Sequence, residues 1–243
     1  MNIIGVIPAR ENSSRLRKKL LIKVKNKTLI ERVYNNARRA KTLKKLYVAT
    51  DSKRIKEVIE KAGGEAVMTS KQCGSGTERI KESLRNFRVN INDIIVNIQG
   101  DEPMLEPSLI DRAVNALYRD RLLDAATIAT PIKSKKELED PACVKVVTGL
   151  NGEALYFSRG KIPFPTAGKI INSGTLRHIG LYAYRKPVLD RWNRLKSRYE
   201  KIEKLEQLRI IENGCRMKVI TGRSKSIGID TPADLRAFRR KVK

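Results

Sequence analysis

The sequence predicts an α/β protein: a doubly wound, mostly parallel sheet carrying a small antiparallel β insert. Three observations carry that reading. Over the first two-thirds of the chain, short apolar runs alternate with stretches of helical spacing, the rhythm that parallel strands need for their helical crossovers. Asp93–Ile98 reads as a strand buried on both faces, as parallel sheets require. From about residue 143 to 184 the helical spacing disappears, leaving strand-like segments around a Pro/Gly-rich connector, Gly160–Gly174.

Taken in order, Ile3–Ile7 is a first strand ending at Pro8, and Thr28–Ala40 is helical through Leu29, Ile30, Val33 and Ala37. Lys45–Thr50 is a strand, after which Asp51 is expected to cap a helix running to Ala62 and closed by Gly63-Gly64. Ser75-Gly-Thr-Glu78 is a capping box opening another helix. Pro107 starts a helix to Arg119, and Ala125–Thr130 returns to strand. Val144–Thr148, Ala154–Ser158 and His178–Tyr184 form the insert, read as a small β subdomain or a dimerisation face; a homodimer is the expected assembly. A helix over Glu200–Asn213 stops at Gly214, and the last begins at Thr231-Pro232, with Pro at its first position. No repeat or low-complexity linker interrupts the chain, so 1–243 is expected to be a single domain with the insert at about 143–184.

Composition removes several classes of function. Hydrophobic residues are 40% of the chain, enough for a core. Apolar runs such as Ile94-Ile95-Val96 are strand-sized, far short of a membrane span. The N-terminal run lacks a cationic leader and a cleavage site and reads as a strand. Cys73, Cys143 and Cys215 lie far apart with no CxxC spacing, which points to a reducing, cytoplasmic setting and against a disulfide framework or structural zinc. One histidine, His178, rules out a two-histidine zinc site. The net charge is +26, concentrated at the two ends. Residues 1–45 carry 14 Lys and Arg against 2 Asp and Glu, and residues 185–243 carry 18 against 7. Such a surface attracts polyanions: nucleic acid, anionic lipid or a polyanionic small substrate. Aromatics are only 5%, and no zinc finger, recognition helix or RNP motif is present, so no specific nucleic acid is expected. Much of the charge reads as solvated surface, with weak electrostatic contact to anionic membrane as its further consequence.

In a doubly wound sheet, ligands sit beyond the carboxyl ends of the strands. Three segments fall there: Pro8–Lys19, Gln99–Pro103 and Gly228–Thr231. The first lacks the glycines of a phosphate-binding fingerprint, yet Arg10, Arg15 and Lys19 can clamp a triphosphate, the arginines by bidentate forks and the lysine as a point charge. Read blandly, it is a basic surface loop. In Gln99-Gly-Asp-Glu-Pro103, Asp101 suits a hard Mg²⁺ shared with substrate phosphates, and Gly100 admits close backbone approach; the competing reading is a solvent-facing turn. Asp230 offers a second carboxylate, or an ordinary helix N-cap before Pro232. Gly74–Arg79 reads as an anion-contacting turn or as no more than its capping box.

Together these segments resemble the 3-deoxy-manno-octulosonate (Kdo) cytidylyltransferases, the CMP-Kdo synthetases. The resemblance runs nearly end to end: IPAR…S.RL..K (7–19), VATD (48–51), GGEAVMTS (63–70), SGTER (75–79), IVNIQGDEPM (95–104), VKVV (144–147), ALYFSR..IP (154–163), RHIGLYAYR (177–185), IEKLEQLR (202–209) and GIDTP (228–232). It implies a Rossmann-like nucleotidyltransferase that forms CMP-Kdo and pyrophosphate from CTP and Kdo for lipopolysaccharide biosynthesis. By the same resemblance Asp101 and Asp230 would hold Mg²⁺, and Arg10 and Lys19 would share the catalytic work with them. Pro8, Ala9, Arg10, Ser13, Arg15, Lys19 and Arg79 would surround the nucleotide, with the compact Pro8–Arg10 turn suiting a pyrimidine. Gln99, Arg159, His178, Tyr182, Glu206 and Gln207 would approach the acid sugar. An amino-substituted Kdo or a nonulosonate is the alternative acceptor; QGDEP, RHIGLYAYR and LEQLR favour a Kdo-like ligand over the latter. The chain departs from the family's pattern after Arg15-Leu16, where Arg17-Lys18-Lys19-Leu20-Leu21 replaces Pro-Gly-Lys-Pro-Leu. It departs again at Glu11-Asn12, at Gly74 and at Ala142-Cys143.

Overall fold

Seven residues of uninterrupted apolar character make β1 (Ile3–Ala9), which is buried along nearly its whole length. The computed structural model describes residues 1–12, 16–164, 174–224, 226 and 228–242, and it divides into two units: Met1–Asp111 with Ser224–Lys243, and Arg112–Arg223. In the first unit β1 is followed by the short hairpin β2 (Lys23–Val24) and β3 (Lys27–Thr28), then α1 (Leu29–Ala37), capped by the Thr28 hydroxyl on the Glu31 amide. β4 (Lys45–Thr50), α2 (Lys53–Lys61), β5 (Glu65–Met68), α3 (Gly76–Ser83) and β6 (Ile94–Asn97) continue the alternation. β4 and β6 flank β1, β5 lies beyond β4, and all these pairings are parallel. The strands run in register, with Ile4 opposite Lys45 and Ile95. α4 (Pro107–Arg119) begins in this unit and ends in the second.

The second unit holds β7 (Ala125–Pro131), α5 (Lys135–Glu139), β8 (Lys145–Thr148), β9 (Ala154–Ser158), β10 (Leu176–Arg185), α6 (Lys186–Arg191), α7 (Tyr199–Glu203), α8 (Gln207–Glu212) and β11 (Met217–Thr221). β11 joins β7 in parallel, whereas β10 pairs antiparallel with both β7 and β8, and β9 closes antiparallel on β8. The chain is thus a mostly parallel α/β architecture with antiparallel strands over the insert. Finally α9 (Pro232–Lys241) returns to the first unit, where Leu235 and Phe238 pack with Val24, Leu29 and Ile229. Each such burial contributes roughly 1.5–3 kcal/mol, which fixes Asp230, next to Ile229, on the first unit's core.

Three local expectations are corrected. α2 is capped by Ser52, whose hydroxyl accepts from the Ile55 amide; Asp51 instead accepts the Glu11 amide and pairs with Arg79. The helix expected over 200–213 is broken into α7 and α8, because Lys204 adopts a left-handed conformation, φ 54°. β5 and β11 were not expected; β5 is an edge strand with mostly part-exposed side chains, so it lacks a clear apolar run. Among the described residues no helix is long and apolar enough to cross a membrane.

Candidate functional site

At the carboxyl end of β6 the chain turns sharply at Gly100. A Cβ there would lie 3.1 Å from the Pro8 carbonyl oxygen, so the absence of a side chain lets the Asp101 loop close on the end of β1. The Ile229 amide then donates to the Asp101 carbonyl at 2.9 Å, drawing Asp230 to the same place. Lys19, in the single 3-10 turn Lys19–Leu21, reaches both acids: its Nζ donates to Asp101 Oδ2 at 2.8 Å and to Asp230 Oδ1 at 2.9 Å. Burial pulls the Lys19 pKa down, but the charges of Asp101 and Asp230 and their hydrogen bonds overcome it, leaving the ammonium above its ordinary value. Asp230 is not the cap of α9. That part falls to Thr231, whose hydroxyl accepts from the Asp234 amide while the Asp234 carboxylate accepts the Thr231 amide.

Two carboxylates meeting one cation offer hard oxygen donors to a divalent ion. Among the described residues no cluster of three or more His, Cys, Asp or Glu could enclose a metal by itself. The oxygen donors of Asp101 and Asp230 are of the kind Mg²⁺ takes, which is commonly held by one or two carboxylates with substrate phosphates and water completing its shell. Arg10 is exposed at the end of β1, beside part-buried Pro8 and buried Ala9. Ser13 and Arg15 lie outside the described residues. Arg79 is buried, its side chain 4% exposed, and is bonded within the first unit. Its guanidinium donates to Thr69 Oγ1, to the Ser70 carbonyl and to Asp51 Oδ2, while Asp51 Oδ1 accepts the Glu11 amide. Arg79 therefore steadies the loop that follows β1 by way of Asp51. Glu11, a departure from the family pattern, adds to the same anchor by accepting the Ser52 hydroxyl at 2.6 Å.

Of the residues expected near the acid sugar, Gln99 lies in the first unit, where its amide donates to Asn97 Oδ1 at 3.2 Å. Arg159, His178, Tyr182, Glu206 and Gln207 lie in the second. β10 bulges between Ile179 and Tyr182, and the His178 and Tyr182 rings remain 5.2 Å apart. The Thr127 hydroxyl has one hydrogen, donated to the Leu181 carbonyl at 2.7 Å, so at 2.9 Å it accepts from His178 Nε2–H. This network assigns the tautomer and leaves Nδ1 as an acceptor. Burial, then the neighbouring Arg177 charge, lowers the His178 pKa to about 3, so the ring is neutral at physiological pH. Tyr182 is pushed well above its ordinary pKa, by burial first and then by Tyr184 and Glu206. Glu206 Oε2 is buried without a hydrogen-bond partner. Gln207 beside it is 4% exposed. A buried carboxylate oxygen without a partner is costly, which makes Glu206 a candidate for contact with a hydrogen-bond donor. Arg159, in contrast, spends its guanidinium on the carbonyls of Pro141, Glu203 and Lys204.

Sequence reasoning missed that Lys19 joins the two acids, that Arg79 pairs with Asp51, and that Lys145 is wholly buried. The VKVV run around Lys145 was the available signal, since a lysine inside an apolar strand needs partners.

Residues 4–225 match the family described as Cytidylyltransferase. The 3-deoxy-manno-octulosonate cytidylyltransferase of Syntrophotalea carbinolica is 42% identical, covering 97% of this chain and 96% of its own. The 8-amino-3,8-dideoxy-manno-octulosonate cytidylyltransferase of Shewanella woodyi is 41% identical, with the same 97% and 96% coverage. The solved structure of a CMP:2-keto-3-deoxy-manno-octonic acid synthetase complexed with CTP superposes with a TM-score of 0.92 at 36% identity, covering 99% of this chain and 98% of that one. The chain is an enzyme of the cytidylyltransferase family, related over its whole length to the octulosonate-activating members.

Proposed function

We propose that this protein transfers CMP from CTP to Kdo or a close analogue, releasing pyrophosphate, and so supplies the activated sugar for lipopolysaccharide. The observation that carries the mechanism is the Lys19 ammonium shared by Asp101 and Asp230 at the strand ends. The anomeric hydroxyl of the sugar attacks the α-phosphorus of CTP, and the bond to the β-phosphate oxygen breaks. No protein nucleophile is needed, and the work is positioning and charge neutralisation. Lys19 holds its charge at any physiological pH and faces the incoming phosphates together with Arg10. Asp101 and Asp230 would hold Mg²⁺, which when bound neutralises phosphate charge and orients the in-line displacement. Neutral His178 offers the sugar a hydrogen-bond acceptor, and Tyr182 stays protonated as a donor.

An amino-substituted Kdo is the second reading, favoured by the unpaired Glu206 Oε2, which suits an ammonium. Pyrophosphate release with Mg²⁺ and each of four nucleoside triphosphates, with Kdo and its 8-amino analogue in competition, tests both. CTP alone should support turnover, and comparable rates with ATP or GTP would overturn the nucleotide assignment. Glu206→Gln should lower the preference for the amino sugar if that is the natural acceptor.

Three unpaired cysteines support a reducing, cytoplasmic setting. Exposed Leu150, Leu155 and Ile202 support a homodimer, checked by sedimentation. Exposed Arg236, Arg239, Arg240 and Lys241 on α9 support weak attraction to anionic membrane. That binding should fade as salt shortens the Debye length below about 8 Å, and equal sedimentation with neutral vesicles would refute it.

A further inference from the structure

The second unit contains a buried cation that the reaction does not use. Lys145 is 0% exposed, and its ammonium donates to no carboxylate. It donates instead to the carbonyls of Asp140 at 3.0 Å, Cys143 at 2.6 Å and Arg159 at 2.7 Å, which exhausts its three hydrogens. Burying a charge is costly unless every donor is satisfied, so this cage holds its three carbonyls in one arrangement. Two of them belong to the loop between α5 and β8, and the third fixes the backbone of Arg159 at the end of β9.

Arg159 then acts on the break between α7 and α8. Its amide donates to Glu203 Oε2 at 2.9 Å and its Nε to the Glu203 carbonyl at 2.9 Å. Its other nitrogens reach the carbonyls of Pro141 and Lys204. Ser158 Oγ adds a bond to Glu203 Oε1 at 2.6 Å. The Glu203 carbonyl, which a continuous helix would pair with the amide of Gln207, is taken by a guanidinium instead, and the chain leaves the helix at left-handed Lys204. Two residues later the turn presents Glu206, with its buried and unpartnered Oε2, followed by buried Gln207.

We infer that Lys145 is a positioning residue: its ammonium cage sets Arg159 and Glu203, and through them the α7–α8 turn that offers Glu206 and Gln207 to the acid sugar. The inference rests on the proposed sugar-activating function for its ligand, though the clamp itself stands on the bonding alone. The two are separable in one experiment. Lys145→Met keeps length and apolar bulk but removes the donors. With Kdo and CTP as substrates, the KM for Kdo should rise at least about tenfold while the KM for CTP stays within twofold. Amide hydrogen exchange at residues 205–208 should quicken at least tenfold, a change read without substrate. KM values for both substrates within twofold of wild type, or rising together, would overturn the inference. If Lys145→Met shows no cooperative melt, Glu203→Gln takes its place, with an expected threefold or greater rise in the KM for Kdo alone and the same overturning result. If wild type releases no pyrophosphate with either octulosonate, the functional reading fails, and the exchange rates alone decide the clamp: unchanged protection at 205–208 defeats it.

Discussion

Lys19 and Lys145 are both buried, one in each unit, and their surroundings are opposite. Lys19 faces two carboxylates, which overcome the cost of burial and raise its pKa. Lys145 faces three carbonyls, and burial leaves its pKa below the ordinary value. Carboxylates carry charge that can be re-partnered, so the first arrangement can exchange one cation for another as an anionic substrate arrives. Carbonyls carry only dipoles, and the second arrangement can do little except hold its shape. The first unit is therefore built to manage charge, and the second to fix geometry around neutral donors and acceptors such as His178 and Tyr182.

The largest test of that contrast removes charge without removing shape. Asp101→Asn retains hydrogen bonding to Lys19 but halves the acidic pair, and turnover should fall on the order of 100-fold or more, with circular dichroism unchanged. A well-folded Asp101→Asn protein with near-normal turnover would make the Lys19 cluster structural, like that of Lys145. Asp230→Asn should cost about tenfold or more in kcat with little loss of melting temperature, because the cap of α9 is Thr231. Thr231→Ala should show the reverse: a loss of about 1 kcal/mol of stability and nearly unchanged kcat. If Asp230→Asn lowers stability as Thr231→Ala does, while leaving turnover intact, the charge-managing role passes away from Asp230.

His178 sharpens the geometric side. The unfolded ring takes a proton near its ordinary 6.5, whereas the folded ring does so only at about 3. Between those values the unfolded state binds more protons, so stability falls as pH drops below 6.5, by at most about 1.4 kcal/mol per pH unit from this group. As the sole histidine, its ring resonances are unambiguous. They should show the Nε2–H tautomer and no titration between pH 8 and 5. A midpoint near 6.5 in the native protein would put a cation beside Tyr182 and erase the contrast.

What the sequence made legible follows from range. Strands β1, β4 and β7 announce themselves because burial on both faces leaves uninterrupted apolar runs. The three segments that carry Lys19, Asp101 and Asp230 were legible too, since strand ends in a parallel sheet are where loops converge. The partners were not. Lys19 meets Asp101 across 82 residues and Asp230 across 211, and no local pattern encodes such pairs. The break at Lys204 was hidden for a related reason: Glu200–Asn213 has helical spacing throughout, and the carbonyls of Glu203 and Lys204 at the break are bonded by Arg159, which follows β9 in the chain. Likewise the pairing of Arg79 with Asp51, 28 residues away, has no local signature in the Gly74–Arg79 turn.

The smallest expected effect lies at Lys18. It precedes the Lys19 turn in a left-handed conformation, φ 51°, the region glycine enters without penalty. The resemblance to the Kdo enzymes places a glycine at this position, and here a lysine occupies it at a cost of about 1 kcal/mol. Lys18→Gly removes that strain but also frees the unfolded chain, and the two effects nearly cancel. Net stability should shift by no more than about 1 kcal/mol, and the shape that carries Lys19 to Asp101 and Asp230 should survive. Turnover should therefore be kept or modestly raised, with the KM for CTP within about twofold. The outcome separates two accounts of the loop. If its geometry is set from within by Lys19 and its two acids, glycine is tolerated; a tenfold rise in the KM for CTP would show instead that the Lys18 side chain is itself part of the charge-managing site.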